Sequence, residues 1–314
     1  MDTLTKVLDS LHFESSFYFS THFAPPWSVE VPQYKNVARF HYVTQGRCWV
    51  RIPTLDQPLL LNDGDLIIIP HGSKHILSVE PDLAPLALDD ALEAANYDGS
   101  GYLEIGDAHH ALSTQLVCGH FEFSDEFTHP LVEYLPDTIV INENDGMEYT
   151  WLKDSLRFMA HIAKNKNLGN GAIIKRLSEI IFIQSIKHWN EREQIQGGFL
   201  VALNDPQLSK SLRAFHDNYS ANWTVESLAS RAGMSRSLFS GRFKEYLNLS
   251  PMQYVTYWRM QNAQRLLIET GTSIDLIASA IGYETLASFS KAFKRTVGIS
   301  PGEYRKTKVE ARQH

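Results

Sequence analysis

The sequence predicts a multidomain α+β chain: an antiparallel β-barrel at the N-terminus, a helical segment after it, and an all-α C-terminal part made of two helix-turn-helix units. Three observations predict it. Short runs of β-branched and aromatic residues crowd the first quarter, helical periodicity takes over from Trp151, and a block between Leu228 and Tyr304 occurs twice.

In chain order, Arg39 to Tyr42, Arg47 to Ile52, Pro58 to Leu61 and Leu66 to Ile69 read as strands, separated by Gln45-Gly46, Thr54-Leu55-Asp56-Gln57 and Asn62-Asp63-Gly64. Strands so closely spaced suggest an antiparallel barrel or jelly roll. The Ala-, Asp- and Gly-rich stretch from Ala84 to Gly101 reads as an insertion or mobile loop between strands. Beyond it, Leu152, Leu156 and Met159, then Ile173, Ile174, Leu177, Ile180, Ile181, Ile183 and Ile186, mark helices. The second run is apolar over too much of its circumference to be solvated on one broad side. It packs either over the edge of the barrel or against a second copy of the chain, and homodimerisation through it is the functional expectation.

The repeat is the most specific feature. Phe239-Ser240-Gly241-Arg242-Phe243-Lys244 returns as Phe289-Ser290-Lys291-Ala292-Phe293-Lys294, and Leu249-Ser250-Pro251 returns as Ile299-Ser300-Pro301, both at an offset of 50 residues. Leu228-Ala229 and Gly233 return as Ile277-Ala278 and Gly282 at 49, so the second copy has one extra residue near its turn. Each copy reads as a helix-turn-helix, whose second helix enters the DNA major groove. Thr224 and Ser235 are placed to cap the two helices of the first copy, and Gly233 and Gly282 sit where each chain must turn sharply. Leu238, Phe239 and Phe243 are expected to point inward, leaving Arg236, Ser237, Ser240, Gly241 and Lys244 outside. In the second copy Phe289 and Phe293 point inward, with Thr285, Leu286, Ala287, Ser290, Lys291 and Lys294 at or near the outer face. Pro251 to about Thr270 forms a connecting helix nearly 30 Å long, close to the roughly 34 Å between successive major grooves.

Charge divides the chain at the same place. Residues 201–314 carry 15 Lys+Arg against 9 Asp+Glu, whereas residues 1–200 carry 14 against 27, so a basic C-terminal part follows an acidic one. Clustered cations provide sequence-independent affinity for the phosphates of double-stranded promoter DNA, and the acidic half is left for sensing or assembly. No apolar run is long enough to span a bilayer and the first residues lack a secretory pattern, so a cytoplasmic protein with no membrane partner is expected. Cys48 and Cys118 form no CxxC pair and read as reduced thiols.

Eleven of the thirteen histidines precede residue 190. His71 and His75, with Cys118 and His120 two apart on one strand face and His41 on a neighbouring strand, have ligand chemistry suited to Zn²⁺. Alternatively they are polar groups of the barrel interior, bonded to backbone or to an effector. Trp27, Trp49 and Tyr42 either line an effector pocket or belong to the core. No nucleophile with a base, phosphate-cradling glycine loop or carboxylate pair stands out, so no catalytic residue is assigned.

Residues from about Asn222 to Arg305 resemble the DNA-binding domain of the AraC/XylS family of bacterial transcription regulators. The resemblance rests on Ile281-Gly282-Tyr283-Glu284, on Ser288 through Arg295, on Gly298-Ile299-Ser300-Pro301 and on Tyr304-Arg305. It implies base-reading roles for Ser237, Ser240 and Gly241 in the first unit and for Leu286, Ala287, Ser288 and Lys291 in the second, with Arg236, Lys244, Thr285, Lys294 and Arg295 beside them, and RNA polymerase as a partner. The first set is small and lacks the long side chains that make bidentate base contacts. Gly64 to His75, with Pro70 and Gly72 between, resembles the second motif of the cupin superfamily, although Val79 stands where that motif usually has asparagine and the first motif is not recognisable around Arg39 to Gly46. With Leu116 to Phe121 and His129-Pro130-Leu131 it is similar to the cupin sensor half of one branch of AraC-type regulators. The implied organisation is a cupin-like sensor over 1–145, a helical dimerisation or linker segment over 146–200 and an AraC-type DNA-binding domain over 201–314. A small-molecule effector would bind at His41, Trp49, His75, Cys118 and His120. The alternative is a metal-dependent cupin enzyme joined to a DNA-binding domain.

Overall fold

A computed structural model of the chain describes residues 3–10, 13–99, 101–107, 113–123, 130–133, 135–142, 150–163, 169–192 and 198–311. His129, one of the residues carrying the cupin resemblance, lies outside them. The fold divides into two compact units, one of His12–Gln194 and one joining Met1–Leu11 to Ile195–His314.

After a short helix α1 (Thr3–Ser10), the first unit runs β1 (Phe13–Phe23), β2 (Ser28–Val31), β3 (Val37–Gln45), β4 (Arg47–Arg51), β5 (Leu59–Asn62), β6 (Leu66–Ile69), β7 (His75–Ser78), β8 (Leu86–Ala87), α2 (Leu88–Ala94), β9 (Tyr102–Ile105), β10 (Gln115–Phe123), α3 (Pro130–Glu133), β11 (Ile139–Ile141), α4 (Thr150–Ala163) and α5 (Asn170–Arg192). The strands form two sheets, ordered β11-β6-β3-β10-β1-β9 and β5-β4-β7-β2-β8. Neither described order returns to its own start, so the expected barrel is represented here by two open-ordered sheets.

Burial explains why β3 and β6 lie inside the larger sheet. All four residues of β6 are buried, as are the first seven of β3, the pattern of strands covered on both faces. Facing side chains from both sheets, among them Val43, Val50, Leu61, Ile67, Leu77 and Leu116, make one core. Gly72 has φ +58°, and a Cβ there would run into the carbonyl oxygen of Tyr34. The glycine of the cupin-like motif therefore permits a close backbone approach just before His75.

Two expectations change in detail. The stretch from Ala84 to Gly101 is not simply a loop: β8 pairs in parallel with β2, and α2 follows directly. The apolar run from Ile173 is the helix α5, and its buried side chains include Ile174, Ile181, Phe182 and Ile186. The Phe182 ring lies tilted at 4.6 Å from Phe121 and 5.7 Å from Phe123, both on β10, so this helix covers the larger sheet.

The second unit contains α6 (Phe199–Asn204), α7 (Leu208–Asp217), α8 (Val225–Ala232), α9 (Arg236–Leu247), α10 (Pro251–Glu269), α11 (Ile274–Ala280), α12 (Leu286–Val297) and α13 (Pro301–Ala311), and α1 packs on α7. Helix α10 serves two cores. Near its N-terminus Tyr254 and Trp258 meet Phe199, Phe215 and Phe243, while Met260, Ala263 and Leu267 meet Ile277, Phe289, Phe293 and Tyr304. At about 1.5 Å per residue, its 19 residues span roughly 28 Å.

Candidate nucleic-acid interface and buried histidine cluster

The duplication in the sequence is a duplication of geometry. Helices α9 and α12 each have 12 residues, begin at a hydroxyl N-cap and end at a left-handed residue, Asn248 and Gly298 respectively. Ser235 accepts from the Leu238 amide at 3.3 Å and Thr285 from the Ser288 amide at 3.1 Å, each satisfying a helix donor that would otherwise lack a partner. The following helix starts in both copies with serine then proline, and Ser250 with Gln253 and Ser300 with Glu303 make reciprocal caps. The extra residue of the second copy lies in its turn, since Ser235 follows Gly233 by two positions but Thr285 follows Gly282 by three.

Phe239, Phe243 and Leu247 bury one face of α9, and Phe289, Ala292 and Phe293 bury one face of α12. Leu238 was expected inside and is instead 50% exposed. Successive helical residues point about 100° apart, so Leu238 cannot share the inward direction of Phe239. Opposite the buried stripes, Arg236, Ser237, Gly241 and Lys244 on α9 are exposed, with Ser240 half-buried. On α12 and its cap, Thr285, Leu286, Ala287, Ser288, Lys291, Lys294 and Arg295 are all exposed. Some of these side chains are already engaged: Arg236 pairs with Glu226 at 2.7 Å, and the Ser288 hydroxyl donates to the Thr285 carbonyl at 2.8 Å. Lys291 is the longest donor among the positions expected to read bases.

Two arginines that the sequence reading left without a role hold these units together. Arg259 of α10 donates to the carbonyls of Tyr219 at 3.1 Å, Ala221 at 2.6 Å and Gly282 at 3.1 Å. It thereby ties the loop before α8 to the turn of the second unit with charge-assisted bonds. Arg305 of α13 donates to Leu267 at 3.1 Å and Thr272 at 2.6 Å, closing the far end of α10. Their partners are backbone groups 23 to 40 residues away, which no local motif announces.

In the first unit, three of the polar residues expected at an effector site meet. His41 on β3 lies opposite Cys118 on β10, with Nδ1 3.1 Å from Sγ, and its Nε2 is 2.9 Å from His75 Nε2. His75 Nδ1 is 2.8 Å from the Ser73 carbonyl. That carbonyl can only accept, which fixes the rest of a neutral chain: His75 donates from Nδ1, His41 donates from Nε2 to His75, and the Cys118 thiol donates to His41 Nδ1. Burial favours these neutral forms. It holds His41 well below the ordinary imidazole range, with the neighbouring His75 and the Arg39 charge acting in the same direction. Burial likewise lowers His75 to about 4 and pushes the Cys118 thiol up. His41 spends one ring nitrogen on each neighbour, so Cys118 and His75 lie at opposite edges of its ring, where one ion could not bind all three. Among the described residues, no group of three or more His, Cys, Asp or Glu is arranged to hold a metal ion.

The other expected site residues stand apart from this chain. His120 lies near Glu122 at 3.8 Å, Trp49 is on β4 opposite Leu60 and Ser78, and His71 donates to the Leu135 carbonyl at 2.8 Å.

The buried histidines predict a pH dependence. A group neutral in the fold but ordinary when unfolded, with a value of 6.5, takes up a proton on unfolding below that pH. Stability from His75 and His41 is therefore complete above about pH 6.5 and is lost as pH falls toward 4, by at most about 1.4 kcal/mol per pH unit for each group. Thermal denaturation followed by circular dichroism should show the transition of the first unit moving down between pH 6.5 and 5. His75→Gln should flatten that slope.

No helix among the described residues is long and apolar enough to cross a membrane. A family model described as Cupin matches residues 2–191, and one described as Helix-turn-helix domain matches residues 228–307. The chain is 29% identical to the HTH-type transcriptional regulator AlkR of Acinetobacter baylyi over 97% of its own length and 99% of that protein's. It is 25% identical to the HTH-type transcriptional regulator MtrA of Neisseria gonorrhoeae over 98% of each. Among solved structures, the DNA-binding domain of AdpA, a global transcriptional factor in complex with a target DNA, matches 34% of this chain and 97% of its own at 30% identity, with a TM-score of 0.33.

Proposed function

The chain belongs to the AraC/XylS family of transcription regulators, in the branch with an N-terminal cupin domain, and from that premise we propose that a small-molecule effector taken up by the cupin unit controls how α9 and α12 read promoter DNA. The observation that carries the proposal is the matched pair of capped helices with one face buried and the other exposed on a shared helix α10. Lys291 donates to a base edge, Leu286 and Ala287 supply apolar contact of the kind that recognises a thymine methyl, and Lys244, Lys294 and Arg295 hold phosphates. Ser237, Ser240 and Gly241 leave the first helix without a long donor, so it contributes more to position and groove shape than to direct readout.

Mobility shifts on genomic promoter fragments test the proposal, and Lys291→Ala sharpens the test. That change should cost about 1–3 kcal/mol on the cognate site and relax preference at one base position. Equal loss on cognate and random duplexes would reassign Lys291 to the phosphate backbone.

We further assign this regulator to the cytoplasm, as a homodimer that works with RNA polymerase. Self-association through α5 is supported by Ile173 and Ile180, seven positions apart and 42% and 45% exposed, on a helix whose opposite side is buried. The matched relatives are named for regulation and not for a reaction, and no catalytic step is assigned to His41, His75 or Cys118.

A further inference from the structure

The first unit contains a cavity of about 570 Å³ lined by Trp27, one of the aromatics considered for an effector pocket, and by none of His41, Trp49, His75, Cys118 and His120. Trp27, Val29, Leu86, Ala91 and Ile105 make its apolar walls, and among the described residues Glu104 is its one charged side chain. Its size is that of small-molecule sites, and most of the side chains lining it are apolar.

Two observations point to a ligand and to its chemistry. The indole Nε1 of Trp27, a residue only 2% exposed, has no hydrogen-bond acceptor among the described residues. Leaving such a donor buried and unmet carries a desolvation cost that an incoming acceptor would remove. The nearby Leu83 carbonyl does not need this donor, since Ser28 and Arg51 already donate to it at 3.3 and 2.8 Å. The Glu104 side chain on β9 forms no hydrogen bond or ion pair among the described residues. An unpaired carboxylate on an apolar wall repels anions and favours neutral or cationic molecules.

We infer that this cavity, roofed by β8 and α2, binds a small, predominantly apolar molecule that is neutral or cationic and presents a hydrogen-bond acceptor to Trp27. The inference rests on the effector reading above and deepens it by naming the site and the ligand class. Alanines 84, 91, 94 and 95 leave the space open, and Ala94 is exposed at the surface of α2. A large side chain there can close the cavity without entering the core.

The test uses the full chain and two probes with one apolar body, 4-phenylbutan-2-one and 4-phenylbutanoate, titrated calorimetrically. The ketone should bind saturably and at least tenfold more tightly than the acid. Trp27→Phe, which keeps a ring against Phe23, should weaken the ketone about tenfold, and Glu104→Gln should remove most of the discrimination against the acid. Ala94→Trp should abolish binding of both, with an unchanged melting profile showing that the fold is intact. If the ketone does not bind, or binds equally well to Ala94→Trp, the cavity is not a ligand site. A mobility shift with the ketone present separates the two claims: binding without any change in DNA affinity upholds the cavity and overturns only its role as the effector site.

Discussion

Gly282→Ala is expected to destabilise the second helix-turn-helix unit by about 2–4 kcal/mol and to abolish preference for the cognate site. Two costs combine. The residue has φ +87°, a left-handed conformation that disfavours any Cβ, and that Cβ would be driven into the carbonyl oxygen of Ser220 and lie 2.7 Å from Arg259 Nη2. Arg259 cannot withdraw freely, because it also bonds Tyr219, Ala221 and Gly282 itself. The same substitution at the matching turn of the first unit is the control. Gly233 has φ +65° but nothing within 4 Å of an added Cβ, so Gly233→Ala should cost only about 1–2 kcal/mol of backbone strain. Chemical denaturation of both variants measures the difference, and equal costs would show that the Ser220 contact relaxes.

Binding of the full chain to its cognate duplex should weaken about a thousandfold between 50 and 200 mM salt, the loss expected for about six or more neutralised phosphates. Lys244, Lys294 and Arg295 are exposed on the recognition helices, and residues 201–314 hold six more cations than anions. Each phosphate contact releases condensed counterions, with log K falling by about 0.9 per contact for each decade of salt. Fluorescence anisotropy across a salt series yields the slope directly. A slope near zero would remove the phosphate role assigned to these side chains, while Lys294→Ala should lower the slope by about one.

How far the structure could be read from the sequence depended on whether the determining partner was local. The caps at Thr224 and Ser235, the glycine turns and the phenylalanine stripes act within a few residues, and the repeat displayed them twice. Strands β3 to β6 were legible from their apolar runs, and α4 and α5 from their spacing. Helix α7 was missed although Leu208, Ser211, Leu212 and Phe215 are buried at helical spacing and the Asp205 carboxylate accepts from the amides of Gln207 and Leu208. Strand β1 was hidden because its serines and threonine interrupt the apolar pattern. The residue types of the histidine cluster were visible, but its geometry depends on the register that sets Cys118 opposite His41, and register is a property of two strands together. The cavity beside Trp27 was still less accessible: it is defined by what α2 does not fill, and Trp27 alone reads either as a pocket wall or as a core aromatic.

Helix α10 also sets a rule for the DNA this protein selects. Its two ends are rooted in different cores, so one inserted residue would rotate everything beyond it by about 100° and advance it by about 1.5 Å. Restoring the facing takes three or four residues, an advance of about 5 Å, which overshoots the roughly 3.4 Å from one base pair to the next. Neither change keeps both helices in phase with the groove. Binding sites for this regulator should therefore diversify by exchanging letters inside two blocks while the gap between them stays constant, a fixed spacer in an otherwise variable text.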